Sequence, residues 1–122
     1  MNHIALRVAA LEDYVAFLAA VFGYREHERV VSEEGAFTLV FMTGPEAGSI
    51  ELIHNWQESV VQPGRTLSHF GFYTGRYDEI LRLARDHGAP VLEENLLPGG
   101  RRQCYIAAPD GMPIEINDGS FQ

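Results

Sequence analysis

The chain repeats itself, and that limits its possible folds more than any other feature. His3 recurs as His69 at an offset of 66. Gly23 recurs as Gly88 and Gly35 as Gly100, both at 65, and Ile50-Glu51-Leu52 as Ile114-Glu115-Ile116 at 64. A steady offset with one-residue drifts is the mark of one supersecondary unit used twice. Whatever the chain builds, it builds from two like halves.

Each half reads as a strand, a helix and three further strands. NHIALRV (2–8) alternates, with Ile4, Leu6 and Val8 on one face and His3, Ala5 and Arg7 on the other. LEDYVAFLAAVFG then places Leu11, Val15, Leu18 and Phe22 at helical spacing, with acids in the first turn and Gly23 as a cap. Strands are expected near 25–31, near 36–43 and at 49–55, with turns at Glu33-Glu34-Gly35 and at Thr43-Gly44-Pro45 with Gly48. The second half repeats the order: SHFGFYT (68–74), a helix over 77–88 capped by Gly88, then PVLEEN, RRQCYIAA and MPIEIND. Ile80, Leu83, Ala84 and His87 share one side of that helix. Residues 56–67 join the copies. The expectation is an α+β fold: one domain over 1–122, made of two tandem βαβββ modules at about 1–56 and about 68–122.

Composition bounds the function. A length of 122 residues suits one domain, and a net charge of −8 disfavours nucleic acid and anionic membranes, which need a basic face. No apolar run approaches the ~20 residues of a membrane span. Met1-Asn2-His3-Ile4 lacks a basic stretch leading into an apolar one, so no signal peptide is expected and the location is read as cytoplasmic. The single cysteine, Cys104, excludes an internal disulfide and a cysteine-type metal site, and is read as a buried hydrophobe in a reducing compartment.

The repeat also marks chemistry. His3 and His69 open the first strand of each half, Glu51 and Glu115 sit in the last, and each lies opposite its strand's aliphatic side chains. Singly, such a His is a surface or satisfied core residue and such a Glu an edge residue. Two imidazoles and two carboxylates converging on one cavity would be costly to bury unpaired. A divalent cation removes that cost, and an N₂O₂ set suits Ni²⁺, Co²⁺, Zn²⁺, Fe²⁺ or Mn²⁺. Arg7 shares a face with His3, and Asn55 with Glu51. Beside a metal, a guanidinium and an amide suit an anionic substrate. Alternatively Arg7 pairs with a local carboxylate and Asn55 closes its strand. His54 faces away and reads as structural, Trp56 as packing at the linker or a dimer seam. His87 reads as a helix-end residue favoured by the dipole.

HIALRV, the helix end Val21-Phe22-Gly23-Tyr24, IELIHNW, SHFGF and PDGMPIEI together resemble the vicinal oxygen chelate superfamily over nearly the whole chain. That superfamily includes glyoxalase I, extradiol dioxygenases, fosfomycin and bleomycin resistance proteins and methylmalonyl-CoA epimerase. IELIHNW, with His3 and Arg7 in the first strand, is most similar to glyoxalase I, the lactoylglutathione lyase. The resemblance implies a glyoxalase-like fold with a curved mixed sheet, and His3, Glu51, His69 and Glu115 as metal ligands. It implies Ni²⁺ or Co²⁺ in preference to Zn²⁺ for a chain of this short form. Arg7 and Asn55 would hold the γ-glutamyl end of glutathione, or of another small thiol. Arg65 would be a second arginine for that end, and Arg101 or Arg102 would meet the glycyl carboxylate. Glu115 would be the preferred base, with Glu51 its counterpart. Two chains would pair as a homodimer, each site taking one His and Glu pair from each chain.

The pattern also departs from glyoxalase I. Ala10 stands where an Asp would cap the first helix, Phe17-Leu18 where an aromatic pair is usual, Ser68-His69-Phe70 where Gly-His-Ile is common, and Ala108 where D-P-D-G begins. The rivals are another metalloenzyme of the superfamily with a different substrate, and a metal-free binding dimer of the bleomycin-resistance kind. The epimerase usually has Gln at the place of Glu51, dioxygenases and fosfomycin thiol transferases use three ligands, and sequestering dimers lack the full set.

Overall fold

The computed structural model describes residues 3–45, 48–62, 64 and 67–119. They form β1 (His3–Arg7), α1 (Leu11–Phe22), β2 (Arg25–Ser32), β3 (Phe37–Thr43), β4 (Ser49–Asn55), β5 (Phe70–Tyr73), α2 (Tyr77–Asp86), β6 (Val91–Leu96), β7 (Arg102–Ala107) and β8 (Pro113–Asn117). The chain divides into two compact units, Met1–Gln62 and Pro63–Gln122, and each holds one βαβββ module.

The first module is a mixed sheet in the order β1-β4-β3-β2. β1 and β4 run parallel, while β4, β3 and β2 form an antiparallel meander. The second module has the same order, β5-β8-β7-β6, with β5 parallel to β8. Each module therefore closes its own four-stranded mixed sheet. The duplication extends to irregularities that leave no mark in the sequence. β2 bulges between Glu26 and Glu28, β6 between Val91 and Glu93, so His27 and Leu92 occupy matching places at an offset of 65.

One face of each sheet is apolar. In the first module Leu6, Val40, Met42, Ile50 and Leu52 are buried, as are Leu11, Tyr14, Phe17, Leu18, Val21 and Phe22 of α1. Each such side chain contributes about 1.5–3 kcal/mol when fully buried. The second module buries Tyr77, Ile80, Leu81 and Ala84 of α2 together with Phe72, Cys104, Ile106, Ile114 and Ile116. Cys104 is fully buried, as expected, and burial pushes its thiol above the ordinary range, which keeps it protonated. No helix among the described residues is long and apolar enough to cross a membrane.

The helix ends differ in detail from the sequence expectation. α1 begins after Ala10 without a side-chain cap bond, the consequence of the missing Asp, and ends at left-handed Gly23, whose N–H bonds Ala19 O at 3.1 Å. α2 stops at Asp86, two residues short of Gly88. The Gly88 φ of 80° lets the chain turn so that the Ala89 N–H reaches Ala84 O at 2.8 Å. The His87 side chain is exposed rather than turned to the apolar side.

The turn between β2 and β3 places its left-handed residue at Ala36 (φ 55°), not at Gly35. Gly35 serves a different end: a Cβ there would lie 2.5 Å from the Phe37 ring. A left-handed alanine costs about 1–2 kcal/mol, and a glycine gives back about 0.5–1 of that in chain entropy. Ala36→Gly is therefore expected to stabilise the protein by about 0.5–1 kcal/mol, read as a higher urea midpoint with unchanged slope. An unchanged or lower midpoint would count against the strain.

Candidate metal centre

The parallel contact of β1 and β4 builds the first half of the site. Ala5 lies opposite Glu51 and His3 opposite Ser49, so His3 is one step along the same face from the carboxylate. His3 Nε2 sits 3.4 Å from Glu51 Oε2, with the imidazole 43% exposed and the carboxylate side chain only 15%. On its other side Glu51 faces Phe41 of β3, and Phe41 meets the His3 ring edge-on at 6.5 Å. The small Ala5 and the aromatic edge thus hold a half-buried carboxylate next to an imidazole on the face that α1 does not cover.

The second module repeats the frame. Gly71 lies opposite Glu115, with Tyr105 as the carboxylate's partner on the other side. His69 stands one residue before β5 rather than inside the strand, and its ring meets Tyr105 edge-on at 5.2 Å. Phe41 and Tyr105 are equivalent at an offset of 64, so each half clamps its histidine with an aromatic ring. A Cβ on Gly71 would lie 2.9 Å from Glu115 Cβ and 3.0 Å from Oε1, so glycine gives this side chain its room. His69 Nδ1 is 3.0 Å from the Ser68 hydroxyl. A proton on Nδ1 donated to Ser68 leaves the Nε2 lone pair for a metal. Glu115 Oε2 accepts a hydrogen bond from Gln103 Nε2, and Gln103 Oε1 accepts one from Asn95 Nδ2 at 3.2 Å. Ser68, His69, Leu92, Glu93, Tyr105 and Pro113 line an open hollow of about 550 Å³.

The expected substrate residues divide. Arg7 is exposed on the His3 face, and among the described residues no ion pair engages it. Asn55 shares the Glu51 face, but its amide donates to Glu58 Oε1 at 2.6 Å. Arg65 lies outside the described residues. Arg101 is exposed beside Gly119. Arg102 points to the other side of β7 from Tyr105 and Gln103, lies 4.4 Å over the Tyr77 ring, and donates to both Asp78 oxygens at 2.9 and 3.2 Å and to Asp118 at 3.3 Å. It ties α2 to β7 and to the end of β8, and is committed there rather than on the Glu115 face. Its guanidinium holds the Asp78 carboxyl below the usual range. His54 is structural as expected: its Nδ1 lies 3.0 Å from Val8 O. The half-exposed Trp56 donates to Thr38 Oγ1 at 2.8 Å, which anchors it to its own module.

Among the described residues no group of three or more His, Cys, Asp or Glu stands close enough to hold a metal ion. Each module offers one imidazole and one carboxylate. That donor pair fits a divalent first-row metal as half of an N₂O₂ set, with further ligands needed to complete it. Sequence reasoning missed Ser68, Gly71, Asn95, Gln103 and Glu58. Only Ser68 carried a signal, as a departure from the usual Gly before His.

Comparison with known proteins identifies the family and the fold. The pattern of the Glyoxalase/Bleomycin resistance protein/Dioxygenase superfamily matches residues 2–107. The chain is 28% identical to the uncharacterised protein YwbC of Bacillus subtilis over 95% of this chain and 94% of that one. It is likewise 28% identical to the lactoylglutathione lyase of Salmonella typhimurium, covering 93% of this chain and 88% of that enzyme. Among solved structures, the trypanothione-dependent glyoxalase I of Leishmania major superposes with a TM-score of 0.82 at 24% identity, over 95% of this chain and 84% of that one. The fosfomycin resistance protein FosX of Mesorhizobium loti superposes at 0.77 with 18% identity, over 99% and 92%. These two structures share the fold.

Two outcomes follow from the side-chain geometry. Gly71→Val should destabilise the protein by about 1–3 kcal/mol through overpacking against Glu115, seen as a lower urea midpoint; a wild-type midpoint would show that the carboxylate has room to spare. Asp78 has a lowered folded pKa, so its contribution is full above its ordinary value of 3.8 and is lost as pH falls through the lower folded value. Asp78→Asn should lower stability near neutral pH and flatten the fall in melting temperature below about pH 4. Parallel curves for the two proteins would refute that linkage.

Proposed function

As this chain belongs to the glyoxalase/bleomycin resistance protein/dioxygenase superfamily, we propose that it is a metal-dependent, glyoxalase I-like lyase. It would isomerise the hemithioacetal of methylglyoxal and glutathione, or of a related aldehyde and small thiol, to S-lactoylglutathione. The observation that carries this reading is the His3–Glu51 pair at 3.4 Å on the sheet face that α1 does not cover, with His69 and Glu115 at the matching places of the second module. The likeness to the Salmonella lactoylglutathione lyase supports the choice of reaction.

His3, Glu51, His69 and Glu115 would hold the metal, with Ni²⁺ or Co²⁺ favoured and Zn²⁺ possible. When bound, it supplies charge stabilisation to an enediolate formed across the substrate's two adjacent oxygen-bearing carbons. The protein's own work is proton transfer and positioning. Glu115, with Glu51 as its counterpart on the other substrate face, takes the proton from the sulfur-bearing carbon and returns it to the neighbouring carbon. The first C–H bond breaks and the second forms, the hydroxyl proton passes to the neighbouring carbon's oxygen, and the former hydroxyl-bearing carbon becomes the thioester carbonyl. Arg7 and Arg101 offer guanidinium forks to the thiol's carboxylates. Asn55 contributes its amide once the ligand displaces Glu58.

Because each module supplies one ligand pair, two copies would pair as a homodimer, with module 1 of one copy completing module 2 of the other. Asn55 is engaged by Glu58 and Arg102 by two aspartates, which favours a second reading: the same metal centre acting on a different substrate. Apo protein reloaded with Ni²⁺, Co²⁺ or Zn²⁺ and given methylglyoxal plus glutathione should form thioester. Glu115→Gln should lower kcat by about 10²–10⁴-fold, and light scattering should report a dimer. Tight metal binding without turnover would select the second reading. Absence of metal binding would leave a sequestering dimer.

A further inference from the structure

The two modules share a backbone frame but differ in one cross-strand row beside the glutamate. In module 1 the row is Val30, Leu39 and Ile53, on β2, β3 and β4. In module 2 the matching row is Asn95, Gln103 and Asn117, on β6, β7 and β8, at offsets of 65, 64 and 64. All three apolar side chains have become amides. Two of the amides form a directed chain. Asn95 Nδ2 donates to Gln103 Oε1, and Gln103 Nε2 donates diagonally across the ladder to Glu115 Oε2. The direction is forced, because an ionised carboxylate only accepts, so Gln103 must present its NH₂ to Glu115 and its carbonyl to Asn95. Glu51 has no such donor in the equivalent place, which Leu39 fills.

We propose that Gln103, oriented by Asn95, is a positioning residue that occupies Oε2 of Glu115 and so leaves Oε1 as the oxygen this module presents. The two repeat-related glutamates are then unequal: Glu115 is oriented from within its own sheet, while among the described residues Glu51 is met by His3 and by no amide donor. The inference rests on the proposed metal site, and its effect is read on metal binding alone. Groups that orient a metal-binding carboxylate typically change affinity about 10–100-fold when removed.

The test is calorimetric titration of Ni²⁺ into the full chain, with the visible spectrum of the Co²⁺-loaded protein as a second readout. Gln103→Leu installs the module 1 residue, and Gln103→Met keeps the length without the donor. Both are expected to weaken Ni²⁺ binding about 10–100-fold and to shift the Co²⁺ spectrum, with melting temperatures close to wild type. Asn95→Val should give a smaller loss in the same direction. Leu39→Met, at the equivalent place in module 1, should leave affinity unchanged. Wild-type affinity and spectrum in both Gln103 variants would overturn the relay and leave the metal reading standing. Failure of the wild-type protein itself to bind Ni²⁺, Co²⁺ or Zn²⁺ would overturn both. An equal loss in Leu39→Met would show a packing effect and also overturn the relay.

Discussion

The parallel contact between the first and last strand of each module is the constraint on which the rest depends. Parallel neighbours cannot be joined by a tight turn, so the chain must travel through a helix and two further strands before returning. That detour places the helix on one face and leaves the other open. It also fixes the register. With Ala5 opposite Glu51, His3 two residues earlier falls beside the carboxylate on the face away from α1, and Gly71 stands opposite Glu115 at the equivalent place. A slip of one residue would send His3 and Glu51 into the apolar layer with Leu6 and Leu52. The apolar layer therefore holds the polar pair in place from the opposite face of the sheet.

Duplication supplies the frame twice, and the fillings have since diverged. Strand order, bulge position, aromatic clamp and small residue opposite the glutamate all recur. Beside the glutamates the halves part, with aliphatic side chains in one row and amides in the other. The helices part too, since α2 is fastened by Arg102, Asp78 and Asp118 across Tyr77. In α1 the outward acid Glu12 instead reaches Arg29 of β2 at 2.6 Å.

Much of this was legible in the sequence, because alternation and helical spacing are direct records of which face is buried. The βαβββ order, the His54 orientation and the sharing of a face by Glu51 and Asn55 all follow from side-chain periodicity alone. What was not legible depends on partners distant in the chain. Nothing in REHERVVS marks the bulge between Glu26 and Glu28. Nothing in Gly-Gly-Arg-Arg says that the second arginine belongs to the helix side, because the strand's parity is set by its neighbour's register. The left-handed residue at Ala36 leaves no mark in the sequence, since the glycine beside it is there for space.

Cys104 illustrates what the two-faced sheet does for a chain with this proposed activity. Its neighbour Tyr105 looks onto the open face, while Cys104 itself is fully buried on the helix side, protonated because burial disfavours its anion. An α-oxoaldehyde is a carbonyl electrophile, and the thiolate is the most nucleophilic side chain a protein can add to it. With one cysteine in the chain and that one beneath α2, the cargo would be handled on a surface that offers no thiol to scavenge it. Immunity to self-inactivation would then come from strand parity, without a dedicated shield.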